Sequence, residues 1–206
     1  MPLQTVDLDP LDVLRGRWAA CSAVVAALGF PGTSHARDGA AGRLWWHDDG
    51  GGNTAQLVQP APGFAVLSGW DHESSRTALT RAGDGEPAGE LLVDVPGWWA
   101  AGVPREGEVG FVYGWDGARW QRAIYDLPDG FAELQLPAGS DAALVGFVDS
   151  YLDGVADEQG QNWPTPRAAV QALGRAGAGL TEADLAAALG PLDADLAAGV
   201  AAARGF

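Results

Sequence analysis

A chain of 206 residues with 27 acidic and 12 basic side chains carries a net charge of −15 and a pI near 4.3. Every basic residue is Arg, which disfavours phosphate-loop, kinase, pyridoxal and Schiff-base chemistry, each of which normally needs a lysine. Without a basic patch, neither nucleic acid nor an anionic membrane is an expected partner; a basic protein, a cationic small ligand or a metal ion is.

The hydrophobic share is that of a globular chain, and the Trp-rich composition promises a substantial core. The N-terminal residues lack a basic stretch followed by an apolar one, so a cytoplasmic protein is expected. Cys21 is the single cysteine and falls among Ala19, Ala20, Ala23 and Val24, which reads as a buried structural thiol.

Asp9-Pro10 reads as a helix start. Leu11, Leu14, Trp18, Cys21, Val25 and Leu28 follow at helical spacing, and Gly29 and Pro31 end the run. Arg15 and Arg17 lie off that stripe and are expected in solvent. Residues 32–42 read as loop. Three strands are predicted next, Arg43–His47, Thr54–Gln59 and Phe64–Trp70, broken by Gly-rich and Pro-rich turns.

Short links predict an antiparallel meander, in which successive turns alternate ends of the sheet. The 48–53 turn and the loop that begins at Asp71 should therefore share one end. Residues 74–90 read as a long polar loop and Leu91–Val95 as a short strand. The adjacent Trp98 and Trp99 cannot both face one core from a regular strand, so one is expected at a groove or contact surface.

Val109–Trp115 and Arg119–Tyr125 flank Asp116-Gly117, a hairpin signal. A two-residue turn there predicts that Trp115 faces Ala118, Tyr113 faces Trp120 and Phe111 faces Arg122. Pro128-Asp129-Gly130 predicts a second turn, into a strand over Phe131–Leu136. Ser140 caps a helix whose buried face is Leu144, Phe147, Val148, Tyr151 and Leu152. Residues 153–164 read as a linker, followed by three short Ala-rich helices that start near Thr165-Pro166, at Thr181 (with Asp184 completing a capping box) and near Asp193.

The expected fold class is therefore α+β. An antiparallel sheet of two meanders, five to seven strands in all, is flanked by the N-terminal and central helices, with a short helical appendage. The expected division is a core over 1–153 and a linker with helices over 154–206. Close helix approach at the Ala-rich stripes makes the C-terminal helices a route to oligomers.

One cluster has enough chemistry for a site: His47-Asp48-Asp49 and Asp71-His72-Glu73 at one sheet end. Two uses are expected. In the first, Asp48, Asp49, Asp71 and Glu73, with Trp45, Trp70, Trp98 and Trp99 as aromatic contacts, form the face of a non-catalytic module of the immunity or antitoxin type. An acidic surface of that kind covers the basic active site of a partner. In the second, His47, Asp48, Asp71 and His72 ligate a divalent metal, the one cofactor the pattern leaves open, in a hydrolase. A third expectation is a small-molecule pocket built on the Tyr113/Trp120 face and the Trp98-Trp99 segment.

Overall fold

The computed structural model describes residues 3–39, 42–75, 80–81, 87–88, 90–104, 108–126 and 128–206. Most of the polar stretch 74–90 lies outside these residues. The chain folds as two compact units. One, the sheet unit, is Met1–Pro10 with Arg37–Gln135; the other, the helical unit, is Leu11–Ala36 with Leu136–Phe206.

The three strands predicted from Arg43 onward form as β3 (Gly42–Asp48), β4 (Thr54–Ala61) and β5 (Phe64–Trp70). They pair antiparallel, with Trp45 opposite Leu57 and Leu57 opposite Leu67. Two further strands of the same sheet were not anticipated. One is β1 (Gln4–Val6), whose three residues are too short to show a period. The other is β2 (Ser34–Gly39), whose polar sequence reads as loop. A further pair, β6 (Thr80–Arg81) and β7 (Pro87–Ala88), makes a separate two-stranded sheet.

The hairpin forms as β8 (Phe111–Trp115) and β9 (Trp120–Arg122), two residues out of the expected register: Trp115 faces Trp120 and Tyr113 faces Arg122. The cause is Asp116. Its carboxylate accepts from the backbone N–H groups of both Ala118 and Arg119, which holds residues 116–119 as a four-residue loop. The main sheet has seven antiparallel strands in the order β1-β9-β8-β5-β4-β3-β2, so the two meanders join into one sheet through β5 and β8.

Alternation sorts the side chains. Trp45, Leu57, Leu67 and Tyr113 share one face through successive register pairs. The other face carries Val66 and Val112, against which Trp99, Leu91, Val103 and Val109 pack. Leu91 thus belongs to a 3-10 turn, Glu90–Leu92, rather than to a strand. A second 3-10 helix, Gly97–Gly102, solves the Trp98-Trp99 problem: Trp99 is buried and Trp98 half-buried.

A Cβ at Gly114 would come within 2.1 Å of the Trp99 ring, so only glycine lets the indole lie flat on β8. The buried amide of Gln56 and hydroxyl of Ser68 both donate to the Gly102 carbonyl, at 2.7 and 2.9 Å, and so satisfy polar groups that would otherwise be costly there.

The expected strand Phe131–Leu136 is instead α2 (Phe131–Leu134). Asp129 accepts from the Phe131 N–H, Gly130 turns with φ +82°, and Gln135 enters the left-handed region at φ 47°, which ends the turn after four residues.

The helical unit is built on α1 (Leu11–Ala27), α3 (Asp141–Glu158), α4 (Arg167–Ala176), α5 (Glu182–Leu189) and α6 (Leu196–Ala203). The N-terminal helix spans the predicted residues, but it is buried at every position from Arg17 to Val25 rather than along one stripe. Its small residues Ala19, Ala20 and Ala23 share a core with Leu144, Val148, Leu152, Val170, Leu173, Leu185 and Val200. At Gly16 a Cβ would fall 2.5 Å from the Gly174 carbonyl oxygen, a closeness that two glycines permit.

Arg17 is buried, contrary to the solvated position expected, because Asp141 accepts from its Nε at 2.8 Å. Burial pushes the Cys21 thiol well above its ordinary range, which leaves it unreactive.

α3 continues through Asp153–Glu158, which the sequence places in a linker. The capping box at Thr181 and Asp184 forms as predicted, and Asp195 caps α6 through the Ala198 N–H. Ser140 accepts from the Ala143 N–H at 3.0 Å and starts α3. Ser140→Ala is expected to cost the helical unit about 1 kcal/mol; a urea titration followed by far-UV circular dichroism measures it. Among the described residues no helix is long and apolar enough to cross a membrane.

Candidate functional site

The two acidic loops do share one end of the sheet. Asp48 pairs with Thr54 and Thr54 with Trp70, so the residues after Asp48 and after Trp70 emerge side by side. Asn53 ties them together. Its N–H and amide nitrogen donate to Asp49, at 3.1 and 2.9 Å, while its carbonyl oxygen accepts from the His72 N–H at 2.9 Å and lies 2.9 Å from His72 Nδ1. Asp48 and Asp49 also receive the N–H groups of Gly50 and Gly51. The tip is thus fixed by side-chain bonds to backbone, the usual device of Asx-rich turns.

The carboxylates separate into two kinds. Asp49 and Glu73 are exposed and Asp48 half-buried. Asp71 is buried and turned into its own loop, where it accepts from the Ser74 hydroxyl and from the N–H groups of Ser74 and Glu73. Burial works to raise its pKa, but those hydrogen bonds and the His72 charge together hold it below the ordinary carboxylate value.

The two histidines separate as well. His72 is exposed, with Glu73 3.8 Å from its Nε2. His47 is 3% exposed and sits on the Trp45 face of the sheet, opposite Ala55, with Gly69 the next residue across. Burial lowers its pKa to about 4 against the opposing pull of Asp49 and Asp48.

His47 and Asp48 therefore point to opposite faces of β3, and Asp71 is engaged by its own loop. Among the described residues no three His, Cys, Asp or Glu side chains gather as a metal group, so the four residues expected as ligands are not brought together.

Of the expected aromatic contacts, Trp45 and Trp99 are core residues, whereas Trp70 and Trp98 keep part of their surface. Trp98 packs edge-on against Phe64, centroid to centroid 5.1 Å.

A second cluster, not anticipated, centres on Asp129. Tyr113 and Tyr125 both donate their hydroxyls to Asp129 Oδ2, at 2.7 and 2.8 Å, and Arg122 Nη1 lies 3.5 Å from the same oxygen. The Arg122 guanidinium stacks on the Tyr125 ring at 4.3 Å. Burial, reinforced by the Asp129 charge, pushes both phenols far above their ordinary range.

Ser75 joins this cluster to the acidic loops: it accepts from the Asp71 N–H and donates to the Asp129 carbonyl. The signal in the sequence was Tyr113 and Tyr125 upstream of Pro128-Asp129-Gly130. The two-residue register error concealed it by placing Trp120, not Arg122, beside Tyr113.

No family model matches this chain, and no curated protein or solved structure is found to be similar to it.

Proposed function

We propose that the sheet unit is a non-catalytic binding module whose acidic loop end meets a basic protein partner, in the manner of an immunity or antitoxin protein. The observation that carries this reading is the Asn53 brace. It holds Asp49 and His72 in one fixed arrangement at a loop end where Asp49 and Glu73 are exposed and Asp48 is half-buried. Loops fixed beforehand lose little conformational freedom on binding. The net charge of −15 supplies a field that speeds encounter with a cationic surface. A metal-dependent hydrolase at the same loops has no comparable support, since His47 and Asp71 are engaged in the interior.

The test is association kinetics of the whole protein with an Arg/Lys-rich probe peptide at several salt concentrations. The Asp48→Asn/Asp49→Asn/Glu73→Gln variant keeps the Oδ1 acceptors for the Gly50, Gly51 and Asn53 N–H groups, gives up the Asp49 Oδ2 contact with the Asn53 amide, and is expected to associate several-fold more slowly at low salt, with dissociation little changed. A control variant neutralises Asp149, Asp153 and Asp157 on α3 and is expected to behave as wild type. If both variants slow equally, or if salt has no effect, the loop end is not the site.

A further inference from the structure

Beyond the loop end, the sheet unit holds an open cavity of about 470 Å³. Its floor is the Tyr113–Arg122–Tyr125–Asp129 cluster, and Gln4 and Asp7 line it from the β1 side. Three features define what it takes.

The first is a cation with donors to spare. Arg122 has five N–H groups, and its contact with Asp129 is a single long one at 3.5 Å. Asp129 itself is already engaged by two tyrosine hydroxyls and the Phe131 N–H. Arg122 also bonds the Tyr125 side chain, and its own side chain is 20% exposed, which puts its other donors within reach of a guest.

The second is negative charge at the mouth. Asp7 and Asp126 line the cavity and are exposed. The third is an apolar wall, to which Phe131 contributes its half-buried ring and Pro128 its exposed one.

We infer that this cavity binds a small zwitterion of the α-amino-acid type, with its carboxylate on Arg122, its ammonium toward Asp126 and Asp7, and an apolar or aromatic side chain against Phe131. The charge order decides the class. A simple anion would meet Asp7 and Asp126 in the same lining as Arg122, in the field of a −15 protein. A simple cation would be drawn to the mouth and repelled at the floor. A zwitterion meets both charges with the matching sign and carries no net charge against the field. The volume exceeds what the smallest amino acids fill, which favours a bulky side chain.

The experiment is calorimetric titration of the full chain with three probes: L-phenylalanine, 3-phenylpropionate, which lacks the ammonium, and 2-phenylethylamine, which lacks the carboxylate. L-Phenylalanine is expected to bind saturably and each half-molecule about tenfold more weakly or worse. Arg122→Gln is expected to remove binding of L-phenylalanine. Because that variant disturbs the Asp129 cluster, Asp126→Asn, at an exposed position, is the second arm and is expected to weaken binding several-fold without changing the unfolding midpoint. Equal binding of 2-phenylethylamine, unchanged affinity in Asp126→Asn, or no saturable binding of any probe up to about 10 mM would overturn the assignment. These outcomes are independent of how the Asp48/Asp49/Glu73 variant behaves.

Discussion

Asp129→Ala is expected to lower the stability of the sheet unit by about 3–5 kcal/mol. The side chain is 15% exposed and serves four donors at once: the Tyr113 and Tyr125 hydroxyls, the Arg122 guanidinium and the Phe131 N–H. Removing it leaves two phenolic hydroxyls inside residues only 4% and 6% exposed, each without its acceptor. An orphaned buried donor costs about 1–3 kcal/mol, and the unpaired guanidinium adds to that.

The same logic predicts a partial rescue. In Asp129→Ala/Tyr113→Phe/Tyr125→Phe the orphaned groups are gone, so the triple variant should be more stable than Asp129→Ala alone despite its additional substitutions. Urea unfolding followed by tryptophan fluorescence reads the sheet unit, because all the tryptophans except Trp18 and Trp163 lie there. A loss below about 1 kcal/mol in the single variant, or a triple variant less stable than the single one, would count against the cluster as a structural keystone.

A second large effect is expected from pH. His47 has a folded-state pKa of about 4 against 6.5 for an ordinary histidine, chiefly because it is buried. Between those values the unfolded chain takes up a proton that the folded chain does not, so stability must fall as pH falls. The contribution is whole above pH 6.5, declines through the window and is gone below about 4. Its size is roughly 3 kcal/mol.

The carboxylates whose pKa values are lowered, Asp71, Asp116 and Asp184, start from 3.8, so their protonation in the unfolded chain adds to the slope only toward the bottom of that window. His47→Gln should flatten the stability profile between pH 6.5 and 4.5, measured as urea midpoints at intermediate pH values. A profile as steep as that of the wild type would assign the slope to other groups.

Both effects arise where the sequence was least informative, and for identifiable reasons. The β3–β5 meander was legible because glycines and prolines punctuate the turns between short apolar runs. Its consequence, that the Asp48 and Asp71 loops share an end, followed from topology alone and holds. What alternation did not convey was the fate of individual side chains. His47 ends the predicted strand next to the acidic turn, and in the sheet it is buried on the Trp45 face, opposite Ala55.

Asp71 looks like a free carboxylate, but its own loop folds over it, a local pattern that only Ser74 and Ser75 hinted at. The Asp129 cluster depended on a register set by the number of backbone groups Asp116 accepts, which no periodicity encodes. Helix starts were legible at the caps Ser140 and Thr181, whereas the last helix, expected from near Asp193, starts after Asp195, and α3 runs past its expected end to Glu158. Phe131–Leu134 was misread because one helical turn and a short strand look alike over four apolar-rich residues.

The pairing of β1 with β9 has a consequence for how this protein is made. Gln4 lies opposite Arg122, so during synthesis the first strand leaves the ribosome more than a hundred residues before its partner exists. At roughly 5–20 residues per second that is a delay of several seconds or more. Over the same interval α1 emerges with Ala20, Val24 and Ala27 uncovered, because the helices that share a core with them begin only at Asp141. Strand β1 and helix α1 are therefore translated well before the segments they pair and pack with. The nascent protein carries an unpaired strand and a sticky helix through most of its elongation, and both invite the attention of chaperones.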